Sequence, residues 1–99
     1  MRQESKKRAA KRRREAGVRT EYLVAHPYCE AARAGAPGVC FGRLAVHEPL
    51  TRARGGSTGD PANMRTCCAG HNTAISQNVE TMRWAYRAGF LKHAWEGVG

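Results

Sequence analysis

Apolar residues recur at helical spacing shortly after Gly17. Val18, Tyr22 and Leu23 predict a short helical segment there. It should end before Pro27, because the residue that precedes a proline is pushed out of the α region. The pattern therefore predicts one or two helical turns in this part of the chain.

A second helical pattern lies near the C-terminus. Its apolar face carries Val79, Met82 and Tyr86. Asn78 is the predicted N-cap, and Gly89 is predicted to end the helix. Residues 90–95 are predicted to form a short strand that packs back on the domain.

The middle of the chain has the pattern of strands joined by glycine-rich turns. Residues 41–46 predict a strand after a turn at Gly42, and a second glycine-rich turn covers residues 55–61. Together they predict the arms of a hairpin or of a longer Ω-shaped loop. A turn of helix is expected to begin near Cys68 or Ala69. The fold class is therefore α+β.

The length and composition of the chain limit the stability that an apolar core alone can provide. The chain has 99 residues, of which 41% are hydrophobic, which fits one small domain. A chain of this size buries only about 60–65% of the surface that its unfolded form exposes, so a metal or crosslink is often recruited. No apolar run approaches the ~20 residues that span a bilayer, and no secretion signal is apparent. We therefore expect a soluble, intracellular protein in which cysteines bind metal or remain free.

The positive charge is concentrated at the N-terminus. The whole chain carries +9, and its first 14 residues hold eight basic residues and one acidic residue. The basic residues are Arg2, Lys6, Lys7, Arg8, Lys11, Arg12, Arg13 and Arg14. Without an apolar face, this segment should be solvated unless a polyanion orders it. We divide the chain into a basic arm, residues 1–17, which either binds phosphates or only solubilises, and a domain, residues 18–99.

Thiol and imidazole ligands are spaced as in a zinc site. The two-residue gap between Cys68 and His71 lets both side chains of one helical turn reach a single ion. With Cys29 and Cys40 they form a predicted Cys₃His zinc site, which would stabilise a small core. Cys67 is a neighbouring thiol that could replace Cys68. The alternative is that these are unligated small side chains.

A second group of residues has the chemistry of a phosphate-cleaving site. His47 beside Glu48 could supply a general base or a divalent metal ligand. Arg52 and Arg54 precede a Gly-Gly turn and could hold a phosphate, and Asn63 could orient the histidine loop through its amide. A surface loop with a solvated ion pair is the alternative.

These motifs resemble those of a known family. Residues 47–57 (HEPLTRARGGS), 60–63 (DPAN) and 68–72 (CAGHN) are similar to the HNH endonucleases, especially the small ones encoded by bacteriophages of actinobacteria. The segments 26–29 and 84–91 also resemble the flanks of such proteins. The resemblance spans about residues 18–96 and leaves the basic arm outside.

The resemblance implies a zinc-stapled ββα-metal (His-Me finger) domain with flanking helices. It implies phosphodiester hydrolysis in DNA, in which a histidine activates water and a catalytic Mg²⁺ or Mn²⁺ ion neutralises the scissile phosphate. It also implies contact with DNA mainly through phosphates, no membrane, work beside phage terminase or packaging proteins, and a location in the cytoplasm of a bacterial host cell.

The family pattern can be placed on the histidine motif in two registers. In the first, His47 is a metal ligand and Glu48 is the base; in the second, His47 is the base and Val46 replaces the metal ligand. Asn63 matches the family's central asparagine in both. The predicted catalytic residues are therefore His47, Glu48 and Asn63.

The cysteine motif also has two registers. In the one we prefer, Cys68 and His71 complete the zinc site, and Asn72 joins His47 as a ligand of the catalytic ion. In the other, His71 binds the catalytic ion and Cys67 or Cys68 is left to the zinc. The residues expected to contact nucleic acid are Arg52, Arg54, Lys6, Lys7, Arg8, Lys11, Arg12, Arg13 and Arg14.

Three functions follow from these motifs. The first is a divergent DNA endonuclease with a depleted catalytic centre. The second is a zinc-stapled nucleic-acid-binding or packaging module without chemistry. The third is a basic interaction protein, for instance one that binds RNA through its arm.

Overall fold

The computed structural model describes residues 5–56 and 58–96. Residues Arg2 and Ser57 of the predicted motifs lie outside this part of the chain. The described residues form a small α+β domain with one two-stranded sheet. None of their helices combines the length and the apolar character needed to cross a membrane.

Helix α1 spans Lys6–Ala25 and is longer than the sequence pattern predicts. Its end before Pro27 is as expected, but its start lies within the basic arm and the helix crosses residue 17. The Ser5 side chain caps it by accepting a hydrogen bond from the Arg8 N–H at 3.2 Å. Its basic residues from 6 to 14 are exposed, whereas Glu15 is its one buried residue. We expected this segment to become ordered only when a polyanion binds it. In the structure it is helical, with Ser5 as its N-cap and the Glu15 carboxylate buried.

Helix α2, Glu30–Arg33, lies inside the loop between Cys29 and Cys40, where no helix was predicted. Its Glu30 carboxylate accepts hydrogen bonds from the Tyr22 hydroxyl at 2.7 Å and from the Thr66 N–H at 2.6 Å. One carboxylate therefore links α1 to the sheet. Burial, together with the hydrogen bond to Glu30, raises the pKa of Tyr22 well above its usual value.

The sheet contains β1, Leu44–His47, and β2, Arg65–Cys68, paired antiparallel. In this register His47 lies opposite Arg65. Between the strands the chain forms the long Ω-shaped loop that the glycine-rich turns predicted, with 3₁₀ turns at Arg52–Arg54 and Pro61–Asn63. The predicted strand at 41–46 is present but begins at Leu44.

Two helices follow the sheet directly. Helix α3, Ala69–Gln77, starts where predicted, and α4, Val79–Ala88, has both predicted ends. The Asn78 side chain accepts a hydrogen bond from the Thr81 N–H at 3.1 Å, and Gly89 adopts φ 84°.

The predicted apolar face of α4 is wrong. Val79 is 61% exposed, and the residues of α4 that are buried are Thr81 and Ala85. Ala85 is fully buried in the core, so a small side chain is what the packing selects, rather than the larger Val79, Met82 and Tyr86.

The strand predicted for residues 90–95 is also absent from the described chain. Phe90 is buried beside Trp84, with ring centroids 5.0 Å apart, and a 3₁₀ turn covers Ala94–Glu96. The Glu96 carboxylate accepts a hydrogen bond from the His93 N–H at 3.0 Å. This local contact favours a turn over an extended segment.

The buried core is small and contains cysteines of the predicted zinc site. Its members are Cys29, Ala31, Cys67, Cys68, Ile75, Ala85 and Phe90. With so little apolar volume, the core is a place where a bound metal would add much to stability.

Candidate metal centre and the His47 site

Cys29, Cys40, Cys68 and His71 come together in one cluster. Their ligand atoms all lie within 4.8 Å of one another. The Nδ1 atom of His71 is 3.3 Å from Cys68 Sγ and 3.5 Å from Cys29 Sγ. Tetrahedral zinc, with bonds of about 2.0–2.3 Å, places its ligands roughly 3.5–3.8 Å apart. The cluster could therefore hold a metal ion such as zinc.

Backbone N–H groups already point at two of these sulfur atoms. Cys29 Sγ accepts from the Ala32 N–H at 3.4 Å and from the Cys68 N–H at 3.3 Å. Cys68 Sγ caps α3 by accepting from the His71 N–H at 3.3 Å. Such donors stabilise thiolate, which is the form of cysteine that binds metal.

A backbone carbonyl orients the imidazole of His71 at the ring nitrogen that faces away from the cysteines. The Nε2 atom lies 3.3 Å from the Gly38 carbonyl oxygen. A carbonyl can only accept, so Nε2 carries the proton and Nδ1 keeps its lone pair toward the cysteines. This is the usual arrangement of a metal-binding histidine with a backbone partner.

The pKa values of two thiols in the cluster, Cys68 and Cys40, are shifted in opposite directions. Burial raises the pKa of Cys68, but hydrogen bonds from the backbone of His71 and the thiol of Cys40 outweigh it and bring that pKa to about 6. The pKa of Cys40 is raised to about 12, first by its hydrogen bond to Cys68 and then by desolvation. These shifts favour loss of a proton from Cys68 rather than from Cys40.

Cys67 is separate from this cluster. It is fully buried in the core, and burial raises its pKa to about 12. Successive residues of a strand face opposite sides, so Cys67 and Cys68 diverge. Cys67 is a core residue, and all four cysteines are free thiols.

His47 stands at the end of β1 beside polar groups from three other segments. Its Nε2 donates to the Phe90 carbonyl oxygen, so Nδ1 keeps the lone pair, and its ring is also hydrogen-bonded to the Asn72 side chain. Burial lowers the pKa of His47, with the charge of Arg65 acting in the same direction against the hydrogen bonds to Phe90 and Asn72. The imidazole is therefore neutral at pH 7.

Glu48 lies apart from this group, on the side of α1. Burial raises the pKa of Glu48, while the charges of Arg19 and Arg52 lower it and Glu15 raises it. Its Oε2 atom is buried with no hydrogen-bond partner among the described residues. The structure thus brings His47 together with Asn72 but not with Glu48.

This donor set does not suit the predicted catalytic Mg²⁺ ion. Mg²⁺ is usually bound through one or two carboxylates together with phosphate oxygens and water. Here Glu48 faces α1, and the donors left beside His47 are its imidazole and the Asn72 amide. The residues beside His47 therefore do not fit a Mg²⁺ or Mn²⁺ ion held by protein carboxylates.

Asn63 closes the Ω-shaped loop. It is 1% exposed; its Oδ1 accepts from the Leu50 N–H at 2.9 Å, and its Nδ2 donates to the Leu50 carbonyl at 2.7 Å. Gly56 lies against the same turn, since a Cβ added there would come within 1.8 Å of the Leu50 carbonyl oxygen. The amide acts on the loop that follows His47 rather than on the imidazole itself.

Replacement of Asn63 by alanine should destabilise the protein by about 2–4 kcal/mol, since each buried polar group left without its partner costs roughly 1–3 kcal/mol. The free energy of unfolding from urea denaturation measures this. Gln77→Ala is the matched control, because Gln77 is an exposed amide at the end of α3 and should change stability by about 0.5 kcal/mol or less. Equal denaturation midpoints for the two variants would show that the loop does not depend on the Asn63 amide.

The predicted phosphate-binding residues lie in two places. Arg52 Nη2 is 3.7 Å from the buried carboxylate of Glu15, which connects the loop to α1. Arg54 instead turns to the C-terminal segment and donates to the Tyr86 hydroxyl at 2.7 Å and the Lys92 carbonyl at 3.2 Å. A cleft of about 610 Å³ lies along α1. Its lining includes Lys7, Arg8, Lys11, Arg12, Arg14 and Arg52.

Arg65 was not identified from the sequence. It pairs with His47 across the sheet, and its charge acts on the imidazole. Only the strand register reveals this proximity, because 18 positions separate the two residues in the chain.

Comparison with known proteins adds no further identification. The chain matches no family model, no curated protein and no solved structure.

Proposed function

We propose that this protein is an HNH-type DNA endonuclease whose small core is stabilised by zinc. The observation that carries the proposal is the convergence of His47, Asn72 and Arg65 from β1, α3 and β2. A base, a hydrogen-bonding amide and a cation are what hydrolysis of a phosphodiester requires at one place.

The tautomer of His47 defines its role in this proposal. With its Nε2 proton donated to the Phe90 carbonyl, Nδ1 is the nitrogen beside Asn72, and an attacking water would replace the Asn72 amide there to give up its proton to Nδ1. Arg65 stands close enough to offset negative charge that develops on the phosphate. Because burial keeps the imidazole neutral, the base is in its active form at neutral pH. A positioned base of this kind contributes about 10²–10⁴ to a rate.

Zinc has a structural role in this proposal. Four protein ligands would fill a tetrahedral ion, which leaves no open position for water or substrate. The phage source, the packaging partners and the bacterial cytoplasm that the resemblance implies stay predictions.

The test is conversion of supercoiled plasmid to open circles by the purified, zinc-containing protein. Parallel reactions contain added Mg²⁺, added Mn²⁺ or neither ion. We expect nicking, and the three reactions decide whether the predicted divalent ion is needed. Intact plasmid in every reaction, from protein that binds the same DNA, would reject the endonuclease.

A second candidate is a nucleic-acid-binding module without chemistry. The position of Glu48 favours it, because a buried carboxylate that faces α1 cannot serve as the base beside His47. The exposed basic residues of α1 would then carry the function. This candidate predicts tight, salt-sensitive binding and no cleavage.

Replacing four exposed basic residues of α1 with glutamine should weaken duplex DNA binding and flatten its salt dependence. The slope of log K against log salt should fall by roughly 0.9 for each phosphate that the protein no longer neutralises. The residues to change are Lys6, Lys7, Arg8 and Lys11. Arg83→Gln with Arg87→Gln is the control, because these exposed cations lie on α4. A loss that scales with the charges removed, about half as large for the two-residue control, would assign the affinity to net charge rather than to α1.

A further inference from the structure

Three aromatic rings form a parallel stack near the C-terminus. The ring centroids of Tyr86 and His93 are 4.3 Å apart with an interplanar angle of 11°. Those of His93 and Trp95 are 4.2 Å apart with an angle of 6°. We call these residues the aromatic stack. Trp95 ends it and is 80% exposed, so one face of the indole lies on His93 and the other is open to solvent.

The aromatic stack is held in place from both ends. At the inner end Arg54 donates to the Tyr86 hydroxyl at 2.7 Å, and its guanidinium lies 6.0 Å from the centre of that ring. At the outer end the Glu96 carboxylate accepts the His93 N–H. The Lys92 N–H also donates to the Pro49 carbonyl at 2.9 Å, which joins the segment to the Ω-shaped loop. Trp95 is therefore presented on a supported surface.

We propose that the open face of Trp95 binds an unpaired nucleobase of a polynucleotide by stacking. An exposed aromatic ring beside cationic groups is the arrangement by which proteins hold single strands, because every base has a π-face. Lys92 and Glu96 lie next to His93 and Trp95 in the chain, so this segment is polar and does not resemble an apolar protein interface. The net charge of +9, most of it in the basic arm, favours a polyanionic ligand for the molecule as a whole.

This inference goes beyond the proposed endonuclease, since stacking does not require cleavage. The carbonyl of Phe90 contacts His47, and Trp95 lies five positions after Phe90 in the chain. Five extended residues span at most about 18 Å. A base on Trp95 would therefore belong to a strand that passes near the His47 site, which would favour DNA with unpaired or frayed ends as a substrate.

The experiment measures binding of the full chain to oligothymidylate, to oligouridylate and to a blunt duplex hairpin, without added Mg²⁺ or Mn²⁺. Trp95→Ala should weaken binding to both single strands by roughly fivefold or more, as expected for loss of one stacked base. Affinity for the duplex should be unchanged. Trp95→Phe, which keeps a stacking ring, should restore most of the single-strand affinity.

Fluorescence gives a second, independent measurement. In the Trp84→Phe variant Trp95 is the remaining tryptophan, and oligothymidylate should quench its emission with saturation at the binding affinity. Saturable quenching by oligouridylate as well would show that stacking tolerates either sugar and does not need the thymine methyl group, whereas no quenching by either polymer would overturn the proposal.

The proposal is overturned if Trp95→Ala binds single strands as the wild type does. It is also overturned if single-strand and duplex affinities fall equally, since the loss would then come from charge or folding. If the protein is not an endonuclease, the plasmid stays uncut and these binding results are the same. The two proposals therefore fail separately.

Discussion

Replacing Cys68 with serine should abolish zinc binding and unfold the protein at room temperature. Cys68 has two structural roles, because its sulfur belongs to the metal cluster and also caps α3 by accepting a hydrogen bond from the His71 N–H. It lies between β2 and α3, so its loss would separate the sheet from the helix that carries His71. The ligands come from three parts of the chain, at Cys29, at Cys40 and at Cys68 with His71, and a shared ion would fix these parts together.

The size of the effect follows from the small core. Structural zinc in short peptides binds with an apparent free energy of about 10–16 kcal/mol at pH 7. Whole domains are stable by only about 5–15 kcal/mol. The core cluster that contains two of the ligands has seven buried residues, and it cannot replace a contribution of that size.

Zinc content after exhaustive dialysis and far-ultraviolet circular dichroism measure this prediction. The wild type should retain one zinc ion per chain and unfold when a strong chelator removes it. Cys67→Ala is the matched control, since Cys67 is buried next to Cys68 but lies outside the metal cluster. That variant should keep its zinc and lose only about 1 kcal/mol of stability. A Cys68→Ser protein that melts like Cys67→Ala would contradict a structural metal.

The features that sequence alone predicted are those set by short-range chemistry. Pro27 ends α1, Asn78 and Gly89 delimit α4, and the spacing of Cys68 and His71 is that of ligands on one helical turn. Each depends on residues within about one turn of one another. The Cys-x-x-His half of the metal cluster could be predicted for the same reason. Cys29 and Cys40 lie far from it in the chain and were assigned from their residue type and from the need of a small core for a metal.

The features that sequence did not predict depend on tertiary contacts. Whether Glu48 faces His47 or α1 is decided by how the chain leaves β1, and adjacent residues there point to opposite sides. Arg65 is placed by the strand register. The length of α1 has a similar cause: Glu15 is buried against the Ω-shaped loop near Gly59, a contact that the sequence of a helix without an apolar face does not indicate.

Replacing His47 with glutamine should reduce plasmid nicking at least 100-fold while the fold and the affinity for DNA are kept. A glutamine amide can still donate a hydrogen bond to the Phe90 carbonyl, so the packing around β1 has a partner. What is lost is the lone pair of Nδ1, and an amide cannot accept a proton at neutral pH. The expected factor is that of a missing general base, about 10²–10⁴.

His26→Gln is the matched control for this variant, because His26 lies at the end of α1 and stacks on Tyr22. It should nick at the wild-type rate. Nicking rates under saturating plasmid, with zinc content and melting temperature for both variants, separate loss of the base from loss of folding. If His47→Gln keeps its zinc, its DNA affinity and its nicking, the nuclease activity does not reside at His47. If the wild type and both variants bind without nicking, the basic surface of α1 becomes the functional part of the molecule and His47 a residue that fastens the C-terminal segment to the sheet.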